Sequence, residues 1–183
     1  ISSSKIELLV NNKKRKQTSS NHSATHLLHQ ALREVVGEHV EQRGSMVSDT
    51  GLRFDFSHFK KIENNEIVKI EDYVNDIIDQ SLNLEENRTE KYTNALKNGV
   101  IALFGEKYGD VVRTVKFGNS YELCGGTHVK NTSSIRLFKI ISESSVASGI
   151  RRIEALTGNN ALKLLSDHSL SLIHISEPTR LER

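Results

Sequence analysis

The sequence predicts an α+β fold in which helices pack on an antiparallel β-sheet. Apolar residues recur at helical spacing in the first half of the chain, whereas from residue 111 onward short alternating segments are separated by Gly, Asn and Ser. Hydrophobic residues at 36% and charged residues at 26% are typical of a globular domain. The single proline and eleven glycines exclude a fibrous chain.

The first helix is predicted over about residues 21–36, with Ser20 or Asn21 as N-cap and Gly37 as its stop. Its core-facing stripe consists of apolar residues at helical spacing: Ala24, Leu27, Leu28, Ala31, Leu32 and Val35.

Two further helices and five strands follow. Apolar residues at positions 67, 70, 74, 77 and 78 predict a second helix, and residues 90–97 a short third one. Residues 52–56 alternate between apolar and polar, as a half-buried strand does. Four later strands are predicted between turn residues, at 111–117, 120–124, 135–142 and 150–156.

Four segments are expected along the chain. Residues 1–20 form a partial polar and basic segment, 21–158 the main domain, and 159–169 the start of a following helix. Residues 170–183 resemble a translated adapter sequence, so His174 is excluded from any site. The chain lacks an initiator methionine, a signal peptide and a bilayer-length apolar run. We therefore expect a fragment of a cytoplasmic protein with no membrane partner.

Charge alone does not identify a partner. The net charge is only +2, but basic residues cluster at 13–16 and at Arg151 and Arg152. Such a run is typical of a solvated loop and also of a contact with RNA phosphates, and both interpretations stay open.

Two pairs of residues predict a metal site. His22 and His26 are four apart, so a helix projects both from one face, roughly opposite the apolar stripe. Helix geometry alone favours two solvated surface histidines over a metal site. Cys124 and His128 repeat the spacing around two glycines that let the chain turn.

Thiolate and imidazole are the ligands that zinc prefers, usually four in a tetrahedron. The two pairs together therefore predict one Zn²⁺ site shared by an early helix and a late strand–turn. A rival hypothesis makes Cys124 a nucleophile with His128 as its base, but it leaves the helical pair unexplained.

Five motifs in order resemble the editing region of alanyl-tRNA synthetases, over about residues 12–165. They are Asn-His-Ser-Ala-Thr-His-Leu-Leu-His at 21–29, Leu-Arg-Phe-Asp-Phe at 52–56, Ala-Leu-Phe-Gly-Glu-Lys at 102–107, Glu-Leu-Cys-Gly-Gly-Thr-His at 122–128 and Gly-Ile-Arg-Arg-Ile-Glu-Ala at 149–155. Threonyl-tRNA synthetases share the paired histidines and the Cys-x-x-x-His spacing. The residues Cys-Gly-Gly-Thr-His and Arg-Arg-Ile-Glu-Ala in this sequence, however, are similar to those of alanyl-tRNA synthetases.

The resemblance implies a zinc-dependent editing domain at 21–158, which hydrolyses the ester of alanine tRNA mischarged with serine or glycine. It assigns His22, His26, Cys124 and His128 as zinc ligands and Gln42 to the editing pocket. Its partners would be that tRNA and the remainder of the synthetase chain. Aminoacylation is not expected of this fragment, and the family's preceding β-rich segment is almost wholly absent.

Within that resemblance, further residues are candidates for the chemistry. The N–H groups of Gly125 and Gly126 could stabilise an oxyanion, although glycine there could serve only the turn. Thr25 could recognise the serine hydroxyl, or simply lie on the helix surface. The remaining candidates, for phosphate contacts, are Arg53, Arg151, Arg152 and the 13–16 run. For Arg53, pairing with Asp55 is the plainer interpretation.

Two other functions fit the sequence. A free-standing deacylase of the same family would act in trans, and a zinc-stabilised tRNA-binding module would have no activity. Four protein ligands also leave open whether zinc activates water or only shapes the pocket.

Overall fold

In a computed structural model, the chain forms two antiparallel sheets, and one long helix contacts both. The structure describes residues 7–103 and 107–176, and of these, residues 168–176 are described as helical backbone only. The helices are α1 (Asn12–Val35), α2 (Asn64–Asp79), α3 (Tyr92–Lys97) and α4 (Gly158–Ser176). The strands are β1 (Gln42–Val47), β2 (Leu52–Ser57), β3 (Glu85–Lys91), β4 (Val111–Phe117), β5 (Ser120–Leu123), β6 (Phe138–Ala147) and β7 (Ile150–Thr157). The α+β prediction is confirmed, with two sheets in place of the expected one.

The larger sheet has the order β1-β2-β7-β6 and the smaller one β3-β4-β5. In β2, Phe54 and Phe56 are fully buried and alternate with half-buried Arg53 and Asp55. Helices α1 and α2 pack together over the buried side, and α2 also contacts β6. The core therefore lies between the helix pair and the larger sheet, while the other side of α1 meets β5.

Helix α1 begins nine residues before its predicted start, so that prediction is wrong. The N-cap is Asn11, whose side chain accepts the Lys14 N–H at 3.1 Å. Residues 12–17 are largely exposed, and burial begins at Ser19. A prediction from apolar spacing detects a helix only where the helix packs on the core. The exposed first turns of α1 consist of polar residues, including lysines that favour helix, and so show no apolar pattern. The predicted stop is confirmed, with Gly37 at φ +136°.

Strands β2, β4, β5 and β7 lie within one residue of their predicted bounds, and helix α2 begins three residues before the first of its predicted apolar positions, residue 67. Strand β6 begins at Phe138 rather than 135, because 132–135 form a 3-10 turn capped by the Asn131 side chain. Strands β1 and β3 were not predicted. Both lie at sheet edges and are mostly exposed, so neither shows an apolar alternation. Residues 90 and 91, assigned to a helix from sequence, end β3.

Helix α4 continues through residue 170 to Ser176, and α1 runs through residues 20 and 21. Both expected segment bounds thus fall within helices, and the division into segments stays a prediction. Residues 177–183 and positions 104–106 of the 102–107 motif lie outside the described residues, and the origin of the tail stays a prediction. Among the described helices, none combines the length and apolar character that crossing a bilayer requires.

Candidate metal centre

His22 and His26 lie one turn apart on the side of α1 that faces β5 and the turn after it. Their ring centroids are 5.2 Å apart, and each ring also lies within 4.6 Å of the His128 ring, centroid to centroid. His26 is only 5% exposed. The interpretation of the pair as solvated surface histidines is therefore wrong. The helix is buried on two sides, by the core and by the smaller sheet.

Cys124 and His128 bring the other two candidate ligand atoms to the same place. The Cys124 Sγ lies 3.5 Å from His22 Nε2 and 3.3 Å from His128 Nε2. One ligand atom from each of His22, His26, Cys124 and His128 lies within 4.8 Å of all the others. The four residues that the sequence paired thus form one group that could hold a metal ion.

The donor set and its spacing fit a zinc-sized ion. With Zn–S near 2.3 Å and Zn–N near 2.0 Å, a tetrahedron places sulfur and nitrogen about 3.5 Å apart. The two S···N distances, 3.5 and 3.3 Å, agree with that edge. The rival Cys124–His128 dyad accounts for one of these contacts only.

Gly126 makes the close approach of the helix possible. A Cβ at this position would lie 2.1 Å from Cε1 of His22, which no side chain allows, whereas a Cβ at Gly125 would meet open space. The Gly126 N–H points to the Cys124 Sγ at 3.4 Å. The Gly126 N–H thus faces the sulfur and the missing side chain admits His22, while the oxyanion role expected of Gly126 stays a prediction.

Ser23, which sequence reasoning missed, supports His128. Its buried Oγ lies 3.1 Å from His128 Nδ1 and accepts the Val129 N–H at 3.1 Å. With Nε2 as the ligand nitrogen, Nδ1 carries the hydrogen and donates to Ser23. The spacing of Ser23, directly after His22, gives no signal of this contact.

Glu122 and His29 are two more residues that the sequence did not single out as site residues. The Glu122 carboxylate is 3% exposed and accepts a hydrogen bond from His29 Nδ1 at 2.8 Å. Its second oxygen lies 3.4 Å from Nδ1 of His26, a close contact that falls short of hydrogen-bond geometry. Strand alternation places Glu122 on the same side of the strand as Cys124, and a charged residue at such a position was the available signal.

Arg113 on β4 holds the turn from the other side. It donates to the carbonyl oxygens of Cys124 at 3.0 Å and Gly126 at 2.6 Å. Glu86 accepts from the same guanidinium at 2.6 Å. The turn is therefore fixed by a side chain 11 residues before Cys124, a contact that depends on strand pairing and has no sequence signature.

The electrostatics keep the three imidazoles neutral. Burial, followed by the neighbouring His26, lowers the pKa of His22 to about 4. Burial, followed by His26 and His22, lowers the pKa of His128 to about 2. Burial also lowers the pKa of His26. Neutral imidazole is the form that binds a metal, so the group is prepared for a cation at neutral pH.

Glu122 has the opposite charge state. Burial is the largest single influence and raises its pKa, but His26 and His29 together outweigh burial, and the net shift of the Glu122 pKa is downward. A carboxylate that stays ionised in the interior requires partners, and here they are imidazoles.

Gln42 lies at the start of β1 and lines a cavity of about 230 Å³ together with His29, Arg33 and residues 101–103. Its side-chain amide donates to Ser45 at 3.2 Å. None of the four candidate ligands is among the described residues that line this cavity. The structure thus places Gln42 on a cavity that it shares with His29 rather than with the ligand residues.

A second cavity, of about 400 Å³, opens directly beside the group. Its lining includes His22, Cys124 and Gly125, together with Leu103 and Tyr108. Residues Lys14 and Arg15, in the first turns of α1, line a third cavity of about 440 Å³ that also reaches His22. The basic run expected in a loop is therefore helical and adjoins the group.

The other predicted contact residues are engaged within the fold. The Thr25 hydroxyl is buried and donates to the Asn21 carbonyl at 2.8 Å, so the helix-surface interpretation is wrong. Arg151 pairs with Glu143 at 2.5 Å, and Arg152 donates twice to Asp55, at 2.6 and 2.7 Å.

Arg53 does not form the pair with Asp55 that the sequence suggested, because Asp55 is held by Arg152 from the neighbouring strand. Its Nε is buried without a hydrogen-bond partner in the described part of the chain. The roles expected of these side chains toward phosphate stay predictions.

Comparison with known proteins gives two findings. Residues 112–154 match the family described as threonyl and alanyl tRNA synthetase second additional domain. The chain is 57% identical over 164 residues to the alanine–tRNA ligase of Christiangramia forsetii and 55% identical over 174 residues to that of Thermotoga maritima. These matches cover 90% and 94% of this chain, which spans about a fifth of the length of either relative.

Proposed function

Because this chain matches the region of alanine–tRNA ligases that carries the second additional domain, we propose that it hydrolyses the ester of alanine tRNA mischarged with serine or glycine. The observation that carries the proposal is the convergence of three imidazoles and one thiol beside an open cavity. Its partners on this proposal are the mischarged tRNA and the remainder of a synthetase chain in the cytoplasm.

We propose Zn²⁺ as the ion held by His22, His26, Cys124 and His128. When bound there, zinc would supply a positive charge that orients the aminoacyl end and polarises its carbonyl. The thiol, the neutral imidazoles and the S···N distances support this choice of metal.

The cavity beside the group is the proposed place for the aminoacylated end of the tRNA. The Gly125 backbone lines it next to Cys124, and the N–H groups of Gly125 and Gly126 are the candidate donors for an oxyanion. Lys14 and Arg15 are suited to bind backbone phosphates, since they are exposed and line a cavity that reaches His22. Arg151 and Arg152 stay candidates for phosphate contacts, and each would have to leave its carboxylate partner to make one.

Hydrolysis at a second site answers a selectivity problem. A pocket that accepts alanine cannot exclude glycine by size. It also excludes serine poorly, because serine differs from alanine by only one hydroxyl group. A difference of one such group supplies roughly 1–3 kcal/mol of discrimination, so a separate deacylating site must supply the rest.

The direct test incubates the zinc-loaded chain with alanine tRNA carrying serine, glycine or alanine. We expect loss of the serine or glycine ester with survival of the alanine ester. His39→Ala is the control variant and should deacylate at the rate of the unmodified chain. His39 is an exposed histidine that contacts His58 rather than the four candidate ligands. Survival of all three esters, with tRNA still bound, would favour the inactive tRNA-binding module.

A second comparison separates the roles within the site. Gln42→His is expected to slow deacylation while one zinc per chain is retained, because Gln42 does not line the cavity of the ligand group. An unchanged deacylation rate would remove Gln42 from the mechanism. Addition of the chain to a synthetase that lacks its own editing region distinguishes action in trans from a requirement for the contiguous chain.

A further inference from the structure

One buried carboxylate connects the candidate metal group to a residue outside it. Glu122 lies on β5 two residues before Cys124, and its side chain points to α1 rather than to solvent. Oε1 accepts from His29 Nδ1 at 2.8 Å, and Oε2 lies 3.4 Å from His26 Nδ1. The three side chains are between 2% and 6% exposed, so water does not replace these contacts.

The contact with His26 determines which of its nitrogens is available. Nδ1 faces the carboxylate, so it carries the ring hydrogen, and Nε2 keeps the lone pair. Nδ1 of His26 is buried and has no hydrogen-bond partner in the described part of the chain, with Oε2 of Glu122 3.4 Å away.

His29 explains why the carboxylate stays in place. It is one turn beyond His26 on α1 and is 1% exposed, with its ring 5.3 Å from that of Phe54, between centroids. Its hydrogen bond fixes Oε1 and leaves Oε2 directed at His26. The core-packed His29 thereby sets the position of the oxygen that faces His26.

We propose that Glu122, held by its hydrogen bond from His29, is a positioning residue. It orients His26 so that the Nε2 atom of His26 lies with the other three ligand atoms. This inference rests on the metal site proposed above and extends it to residues that are not ligands. Carboxylates in this position raise the basicity of a ligating imidazole and hold its ring, and their removal typically costs about 10–100-fold in metal affinity.

The first experiment measures zinc affinity by competition with a chromophoric chelator for the full chain, Glu122→Gln and the control Glu85→Gln. Glu85 is an exposed carboxylate on β3 that contacts Lys116. A glutamine amide presents one acceptor oxygen and one donor nitrogen, so it cannot accept from both histidines. We expect Glu122→Gln to bind zinc about 10–100-fold more weakly and Glu85→Gln to match the unmodified chain.

The visible spectrum of the cobalt-substituted chain distinguishes positioning from a merely structural role. A ligand ring that loses its orientation changes the d–d bands, so the band positions of Glu122→Gln should shift while those of Glu85→Gln do not. A lower melting temperature of metal-free Glu122→Gln, with zinc affinity and cobalt bands both unchanged, would overturn the proposal.

The unmodified chain provides a test that does not depend on any variant folding. Long-range ¹H–¹⁵N correlation spectra of the zinc-loaded chain report which nitrogen of each imidazole carries hydrogen. We expect Nδ1–H on both His26 and His29, and Nε2–H on His26 would overturn the proposal. None of these measurements uses tRNA, so a failure of the editing activity and a failure of this inference are recognised separately.

Discussion

Two polar regions of this chain differ in whether their members satisfy one another. On β7, Arg151 and Arg152 each bind a carboxylate at 2.5–2.7 Å, so their charges are balanced inside the fold. At the end of β5, three neutral imidazoles and a thiol converge with their ligand atoms within 4.8 Å. These atoms form a group that could hold a cation, and the Glu122 carboxylate lies 3.4 Å from His26 Nδ1 beside it. The first region is closed by its own ion pairs, whereas we propose that a cation completes the second.

The largest expected effect tests whether the convergent region needs that cation. Cys124→Ala removes the only thiolate, and a three-imidazole remainder should hold zinc at least about a thousandfold more weakly, because coordination supplies much of the binding free energy. Zinc content after dialysis and the zinc-induced rise in melting temperature both measure this. One full zinc equivalent retained by Cys124→Ala would exclude the proposed ligand set.

Alanine substitutions at two adjacent glycines test next whether His22 is held where the structure places it. Gly126→Ala places a methyl group 2.1 Å from the His22 ring, so His22 must move and zinc affinity should fall by about tenfold or more. Gly125→Ala meets open space and should bind zinc as the unmodified chain does. Chelator competition on the two variants gives the answer. Equal affinities would mean that His22 is not held where the structure has it.

Acidification of the EDTA-treated chain tests the neutrality of the imidazoles. His22 takes up a proton near pH 6.5 when unfolded but only near pH 4 when folded, so the unfolded state binds protons first as the pH falls. Stability that is present above pH 6.5 is therefore lost between pH 6.5 and 4, on the order of 3 kcal/mol for His22. Urea unfolding at pH 7, 6, 5 and 4 measures the loss.

His22→Gln is the control for this pH dependence, since it removes the titrating group while keeping a polar side chain. Its unfolding free energy should change less over the same pH range. A flat profile for the unmodified, metal-free chain would show that His22 titrates normally in the folded state.

The last prediction concerns the ion pairs on β7. Arg151→Met leaves Glu143 buried without its guanidinium and should lower the free energy of unfolding by about 2 kcal/mol. Arg88→Met breaks only an exposed pair with Glu86 and should cost about 0.5 kcal/mol or less. Zinc stoichiometry should stay at one in both. If Arg151→Met instead weakened tRNA binding at unchanged stability, Arg151 would be a phosphate contact after all.

Individual elements and residues show which parts of the structure can be predicted from local sequence patterns. Helix α2 and strand β2 follow directly from periodicity, because each buries one face. The exposed first turns of α1 and the edge strands β1 and β3 lack such a face and were missed. The helix-surface interpretation of Thr25 was wrong because its hydroxyl bonds back along the helix to Asn21. The expected Arg53–Asp55 pair was wrong because Asp55 binds Arg152 on the neighbouring strand, which only the strand order reveals.

By itself, the sequence determined the α+β class and the two residue pairs of the candidate site, since helical spacing and the glycine turn are encoded locally. Only the tertiary structure decided that the pairs meet, that Gly126 makes room for His22, and that Ser23, Glu122 and Arg113 support them. Those contacts join residues 13 to 106 positions apart, or depend on a ring approaching a backbone. Packing and strand pairing fix such distances, and no short sequence pattern specifies them.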